Sequence, residues 1–78
     1  MVTSIDRTKE GTNILVSRID SEGPLARRLA DLGISPSEPI TVVKNDGVNP
    51  VVVSVRGTCI AFGRSVASDI LGECEVRG

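Results

Sequence analysis

The sequence predicts a mainly β domain: a small, partly open barrel of five strands, with one α-helix between the first and second strands and a short helical turn before the last. Three observations predict it. The chain has 78 residues, 40% of them hydrophobic, which is enough for one core and leaves no room for a second domain. Valine and isoleucine number eighteen against five leucines, and β-branched side chains suit a pleated sheet better than a helix interior. Clusters of Gly, Pro, Asn, Asp and Ser cut the chain into short extended segments, and one stretch only repeats its apolar residues at helical spacing.

A single domain over residues 1–78 is expected, with residues 1–11 a loosely ordered lead-in, because they lack periodicity and offer Ile5 as their one core anchor. The first strand runs from Asn13 to Ile19, with Ile14-Leu15-Val16 buried on both faces at its centre, and Asp20-Ser21-Glu22-Gly23 breaks it. The run GPLARRLADLGI is a helix with both ends marked. Pro24 suits its first turn, Leu25, Arg28, Leu29 and Leu32 share one face, and Gly33 supplies a left-handed cap that lets Ile34 fold back on Leu29. Ser35-Pro36-Ser37-Glu38-Pro39 is a turn segment, since two prolines remove donors and fix φ. Strands Ile40 to Asn45 and Val51 to Arg56 flank the loop Asp46-Gly47-Val48-Asn49-Pro50 and read as a hairpin. Gly57-Thr58 turns into a strand ending at Phe62, in which Ile60 and Phe62 face the core and Cys59 and Ala61 face out. Ser65 is placed to cap one helical turn, Val66-Ala67-Ser68, before Ile70 to Val76 closes the barrel with Ile70, Cys74 and Val76 on one parity.

Composition removes several classes of function. Nine basic and ten acidic side chains give a formal charge of -1, so no overall field draws the chain to nucleic acid or anionic lipid. The absence of His, Trp and Tyr takes away the commonest general base, the commonest zinc ligand and every aromatic stacking surface except Phe62. The aliphatic runs fall far short of the roughly 20 residues that cross a bilayer. No basic leader followed by an apolar stretch opens the chain, and two cysteines suit a reducing compartment, so a cytoplasmic protein with free thiols at Cys59 and Cys74 is expected. No GxxxxGK[ST] pattern is present to bind nucleotide.

Two blocks carry a family resemblance. Arg28-Leu29-Ala30-Asp31-Leu32-Gly33-Ile34-Ser35-Pro36 followed by Ile40-Thr41-Val42-Val43 resembles the "RL-x-x-LGI-x-P... I-x-V" core of the ferrous iron transport protein A (FeoA) family. Val53 to Arg64, with Ala67 and Ile70, is similar to that family's "V-x-V-x-G-x-x-IAL-x-R... A-x-x-I" tail. The resemblance implies an SH3-like barrel in a small bacterial cytoplasmic accessory protein. Its implied partner is the cytoplasmic GTPase region of a ferrous-iron permease of the FeoB type, which would hold it at the inner membrane. The family usually has glycine where this chain has Ser37, which suggests a turn that does not need positive φ, and leucine where it has Phe62.

Most conspicuous residues are expected to be scaffold. Leu25, Leu29, Leu32, Ile34, Ile60, Phe62 and Ile70 read as plain core. Arg27 and Arg28, together with Arg56 and Arg64, are the candidate partner-binding residues, suited to acidic groups on another protein, and Arg27 stands four residues before Asp31 as a helical ion pair would. Glu73 and Glu75 alternate with Cys74 along a strand, so this tripeptide does not converge on a metal, and no cofactor is expected. Cys59 has no histidine to activate it, so no catalytic residue is assigned. The leading expectation is a non-enzymatic protein-docking module with at most weak self-association. The alternative is an SH3-like regulatory or nucleic-acid-binding module, such as the barrel domain of iron-dependent repressors.

Overall fold

The computed structural model describes residues 2–74. Six strands and two short helices follow in the order β1 (Val2–Ser4), a 3-10 turn (Ile5–Arg7), β2 (Asn13–Ile19), α1 (Gly23–Asp31), β3 (Pro39–Lys44), β4 (Val51–Val55), β5 (Thr58–Phe62), α2 (Arg64–Ala67) and β6 (Ile70–Cys74). All strands join one antiparallel sheet in the order β1-β6-β2-β3-β4-β5. The register slips between Val16 and Arg18 in β2 and between Val42 and Lys44 in β3. Such bulges bend a strand and increase its twist, which lets a sheet of short strands curl into a barrel.

One face of the curled sheet forms the core. Ile14 and Val16 of β2, Ile40 and Val42 of β3, and Val51, Val53 and Val55 of β4 alternate inward and are almost fully buried. Leu29 of α1 and Ile34 cover one end of this layer, and Ile5, Ala67 and Ile70 complete it. Leu15 is 41% exposed, so the centre of β2 is buried on one face and not on both. The reason is the antiparallel sheet, whose outer face is left to water.

The cap of α1 forms as its sequence predicts. Gly33, at φ 93, donates its N–H to the Ala30 carbonyl at 3.0 Å, and Ile34 donates to the Leu29 carbonyl at 2.9 Å. This pair of bonds is the Schellman arrangement, and it turns Ile34 into the core.

Several expectations change. The described part of the lead-in, residues 2–11, is ordered: β1 adds a sixth strand against β6, and Ile5 is fully buried. Asn45 holds the segment in place, donating from Nδ2 to the carbonyls of Asp6 at 3.0 Å and Thr8 at 2.8 Å. Ser37 has φ 73, contrary to the turn expected there. With Pro36 before it and the Glu38 N–H donating to the Ser35 carbonyl at 3.0 Å, the segment is a type II turn, which requires a left-handed third residue. The Ser37 N–H is fastened to the Val16 carbonyl at 2.7 Å, which fixes this conformation. Gly63, not Ser65, stands at the N-terminus of α2, and no side chain caps it. Cys74 is exposed despite sharing the parity of Ile70, because it lies at the end of β6 beyond the core. The expected continuation through Glu75 and Val76 lies outside the described residues.

Candidate functional site

Helix α1 buries less than its apolar stripe implies. Leu29 is 1% exposed, but Leu25 and Leu32 are 38% and 46% exposed and do not belong to the core. They face an open groove of about 350 Å³ whose other wall is Ile60, Ala61 and Phe62 of β5, with Gly63 and Val66 at its end. The groove exists because α1 spans nine residues and docks through Leu29 and the capped Ile34, while β5 is the last strand of the sheet. Among the described residues no further strand lies beyond β5 to fill the space under the helix. Phe62 remains 7% exposed, and Ile60 packs against the core from a half-buried position.

The four candidate arginines fall in three places. Arg28 lines the apolar groove and also a shallow concavity shared with Arg27, Pro24 and Asp31. Neither Arg27 nor Arg28 forms an ion pair among the described residues, so the expected Arg27–Asp31 pair is not made. Arg56 lies in the β4–β5 turn, where its Nε donates to the Glu38 carboxylate. Arg64 is turned inward. Its guanidinium donates to Asn45 Oδ1 at 2.9 Å, the Asn49 carbonyl at 3.1 Å and the Asp6 carbonyl at 2.8 Å. It therefore ties the β3–β4 loop and the amino-terminal turn to α2, a fork-shaped task suited to a planar guanidinium. Of the four candidates, Arg27 and Arg28 on α1, beside the leucines, are the two whose side chains make neither an ion pair nor a hydrogen bond among the described residues.

In the β3–β4 loop the main-chain and side-chain N–H groups of Asn49, then the N–H of Val48, donate to the Asp46 carboxylate and hold it well below the usual carboxylate range. Cys59 and Cys74 are exposed free thiols. Among the described residues no group of three or more Cys, Asp or Glu side chains converges on a point where a metal would sit.

The FeoA domain matches residues 3–74, nearly the whole described chain. This chain belongs to the FeoA domain family. It is 35% identical over 65 residues to a protein of Methanocaldococcus jannaschii named as an Fe(2+) transport protein A, covering 83% of this chain and 78% of that one. Among solved structures, an iron uptake regulatory protein (FeoA) superposes with a TM-score of 0.86 at 23% identity, covering 96% of this chain and 99% of that one. The zinc complex of Stenotrophomonas maltophilia FeoA, described as a procaryotic SH3 domain protein, matches with a TM-score of 0.81 at 25% identity over 91% of this chain and 89% of that one. The SH3-like FeoA fold is thus shared through the whole barrel. In this chain the groove beside α1 is lined by Leu25, Leu29, Leu32 and Arg28 of the helix side.

Proposed function

We propose that this FeoA-domain chain is a non-enzymatic accessory of ferrous-iron uptake. It docks on the cytoplasmic GTPase region of a FeoB-type iron permease and shifts that partner's assembly or GTPase state. Family membership and the Fe(2+) transport name of the M. jannaschii relative support the iron context. The observation that carries the docking reading is the groove of half-exposed leucines beside two arginines without ion-pair partners. A soluble surface that sets large apolar side chains around a concavity, rimmed by charge, is suited to another protein.

The mechanism is selective holding. A rigid barrel changes a mobile partner only by binding one of its states more tightly than another, so the chain acts in proportion to that difference. No helix among the described residues is long and apolar enough to cross a membrane, and contact with the membrane is through the permease. Nucleotide binds the partner, not this chain.

The test is a binding measurement of the full chain against the isolated GTPase region and against the whole permease in detergent or nanodiscs. Binding to at least one is expected, weakened about tenfold or more, some 1.4 kcal/mol, by the double change Arg27→Ala and Arg28→Ala. Absence of binding to both overturns the proposal.

A further inference from the structure

The sheet has two edge strands, β1 and β5. The β4–β5 connection is a two-residue turn, Arg56-Gly57, with φ 51 and φ 82. Two successive left-handed residues make a type I′ hairpin, in which the flanking pair, here Val55 and Thr58, exchanges hydrogen bonds across the strands. Alternation then fixes the rest of the ladder: Ile60 and Phe62 bond to Val53 and Val51, while Cys59 and Ala61 turn their N–H and C=O groups away from β4. No hydrogen bond from another element reaches the main chain of Cys59 or Ala61 among the described residues. These open groups lie along the same strand that walls the apolar groove, with Leu25 and Leu32 above it and Arg28 on its rim.

We propose that β5 is a docking edge. An extended segment of a partner protein, with apolar side chains at alternate positions and a carboxylate placed beside Arg28, adds to the sheet as a further strand. This deepens the docking reading above and rests on it for the identity of the partner. The added strand lies about 4.8 Å from β5, pairs with the open groups of Cys59 and Ala61, and points every second side chain into the space under Leu25 and Leu32. Main-chain pairing supplies binding that tolerates sequence, the groove selects apolar residues, and Arg28 sets which end of the segment carries the acid. A second copy of this chain is the poorer occupant, because neither of its open edges, Val2–Ser4 or Thr58–Phe62, carries a carboxylate to meet Arg28.

Two arms test it. In the first, the full isotope-labelled chain is titrated with a synthetic hexapeptide in which valines alternate with threonines behind a leading glutamate, and with the counterpart that leads with lysine. The glutamate peptide is expected to slow exchange of the Cys59 and Ala61 amide hydrogens, to move the Leu25 and Leu32 methyl signals, and to bind at least about fivefold tighter than the lysine peptide. Arg28→Glu reverses that preference. No binding, binding that leaves both amides unprotected, or a preference unmoved by Arg28→Glu overturns the proposal, as does protection of those amides by self-association without peptide.

The second arm measures permease binding by the parent chain, Ala61→Pro and Leu25→Asp. Proline at Ala61 removes only an outward N–H, so the ladder to β4 survives, and Asp at residue 25 sits in the first turn of α1, where a negative charge is tolerated. Both changes are expected to weaken binding about tenfold or more. Undiminished binding by both variants overturns the edge proposal and leaves the docking reading standing. If the parent chain itself does not bind, the docking reading falls and the peptide arm alone decides the edge.

Discussion

Gly72→Ala tests the closest approach inside the barrel. Gly72 is buried at the centre of β6, between Thr3 of β1 and Val16 of β2. A Cβ there would stand 2.4 Å from Ile14 Cγ2, 2.6 Å from the Leu15 carbonyl oxygen and 3.1 Å from the Leu15 carbonyl carbon. A side chain can rotate away from a methyl group, but the Leu15 backbone cannot. The β2–β6 pair must therefore separate in the middle of the sheet. Overpacking of this kind costs about 1–3 kcal/mol, and contact with backbone places the cost near the top of that range. Alanine recovers roughly 0.5–1 kcal/mol through a less flexible unfolded chain, leaving a net loss of about 2 kcal/mol. In a domain of this size that lowers the melting temperature by about 8–16 °C. Thermal and urea unfolding followed by circular dichroism measure it. Ile14→Ala in the same chain relieves the nearer contact and not the Leu15 one, so it is expected not to restore stability. A Gly72→Ala protein within about 0.5 kcal/mol of the parent would refute the inferred strand approach.

Three further outcomes follow from the same geometry. Ser37→Gly is expected to raise stability by about 0.5–1 kcal/mol, because relief of a left-handed non-glycine residue outweighs glycine's greater unfolded entropy, and a urea midpoint shift checks it. Arg64→Ala is expected to cost about 2 kcal/mol by leaving the Asp6 and Asn49 carbonyls and Asn45 Oδ1 without their shared donor, and to speed amide exchange selectively across β1 and the 3-10 turn. The lowered pKa of Asp46 means its loop bonds contribute fully above the ordinary carboxylate pKa near 4 and fade as pH falls below it, since protonation then favours the unfolded state. Asp46→Asn is expected to flatten that acid-side slope, measured as urea midpoints between pH 3 and pH 7.

The legible parts of this fold are those set by local chemistry. Pro24 and Gly33 mark α1, and the predicted Schellman bonds are present because glycine at the left-handed cap decides them without help from the rest of the chain. Strand parity in β5 holds for the same reason: Phe62 is buried while Cys59 and Ala61 are exposed. What local pattern cannot carry is the ordering of residues 2–11. That segment depends on Asn45 and Arg64, each more than thirty positions away from Asp6, and a lone Asn in a turn-rich stretch looks like any other turn residue. Ser37 was illegible in a different way. Its neighbours Pro36 and Glu38 are compatible with several turns, and the left-handed one is chosen by the bond from its N–H to Val16 on another strand.

The same distinction governs the candidate site. A helical stripe of Leu25, Leu29 and Leu32 reports that one side of α1 is apolar, but periodicity says nothing about whether anything stands opposite each residue. In this barrel the sheet stops at β5, so Leu29 meets the core while Leu25 and Leu32 overhang an edge. Arginine behaves likewise: four look equivalent in the sequence, yet Arg64 serves three internal acceptors, Arg56 meets Glu38, and Arg27 and Arg28, on the helix that carries the overhang, have no ion-pair partner among the described residues. Apolar overhang, cation and open strand edge thus arise together from one topological fact, the termination of the sheet at β5. A further strand beyond β5 would remove all three at once, by covering the leucines, pairing the main chain and placing a side chain against Arg28.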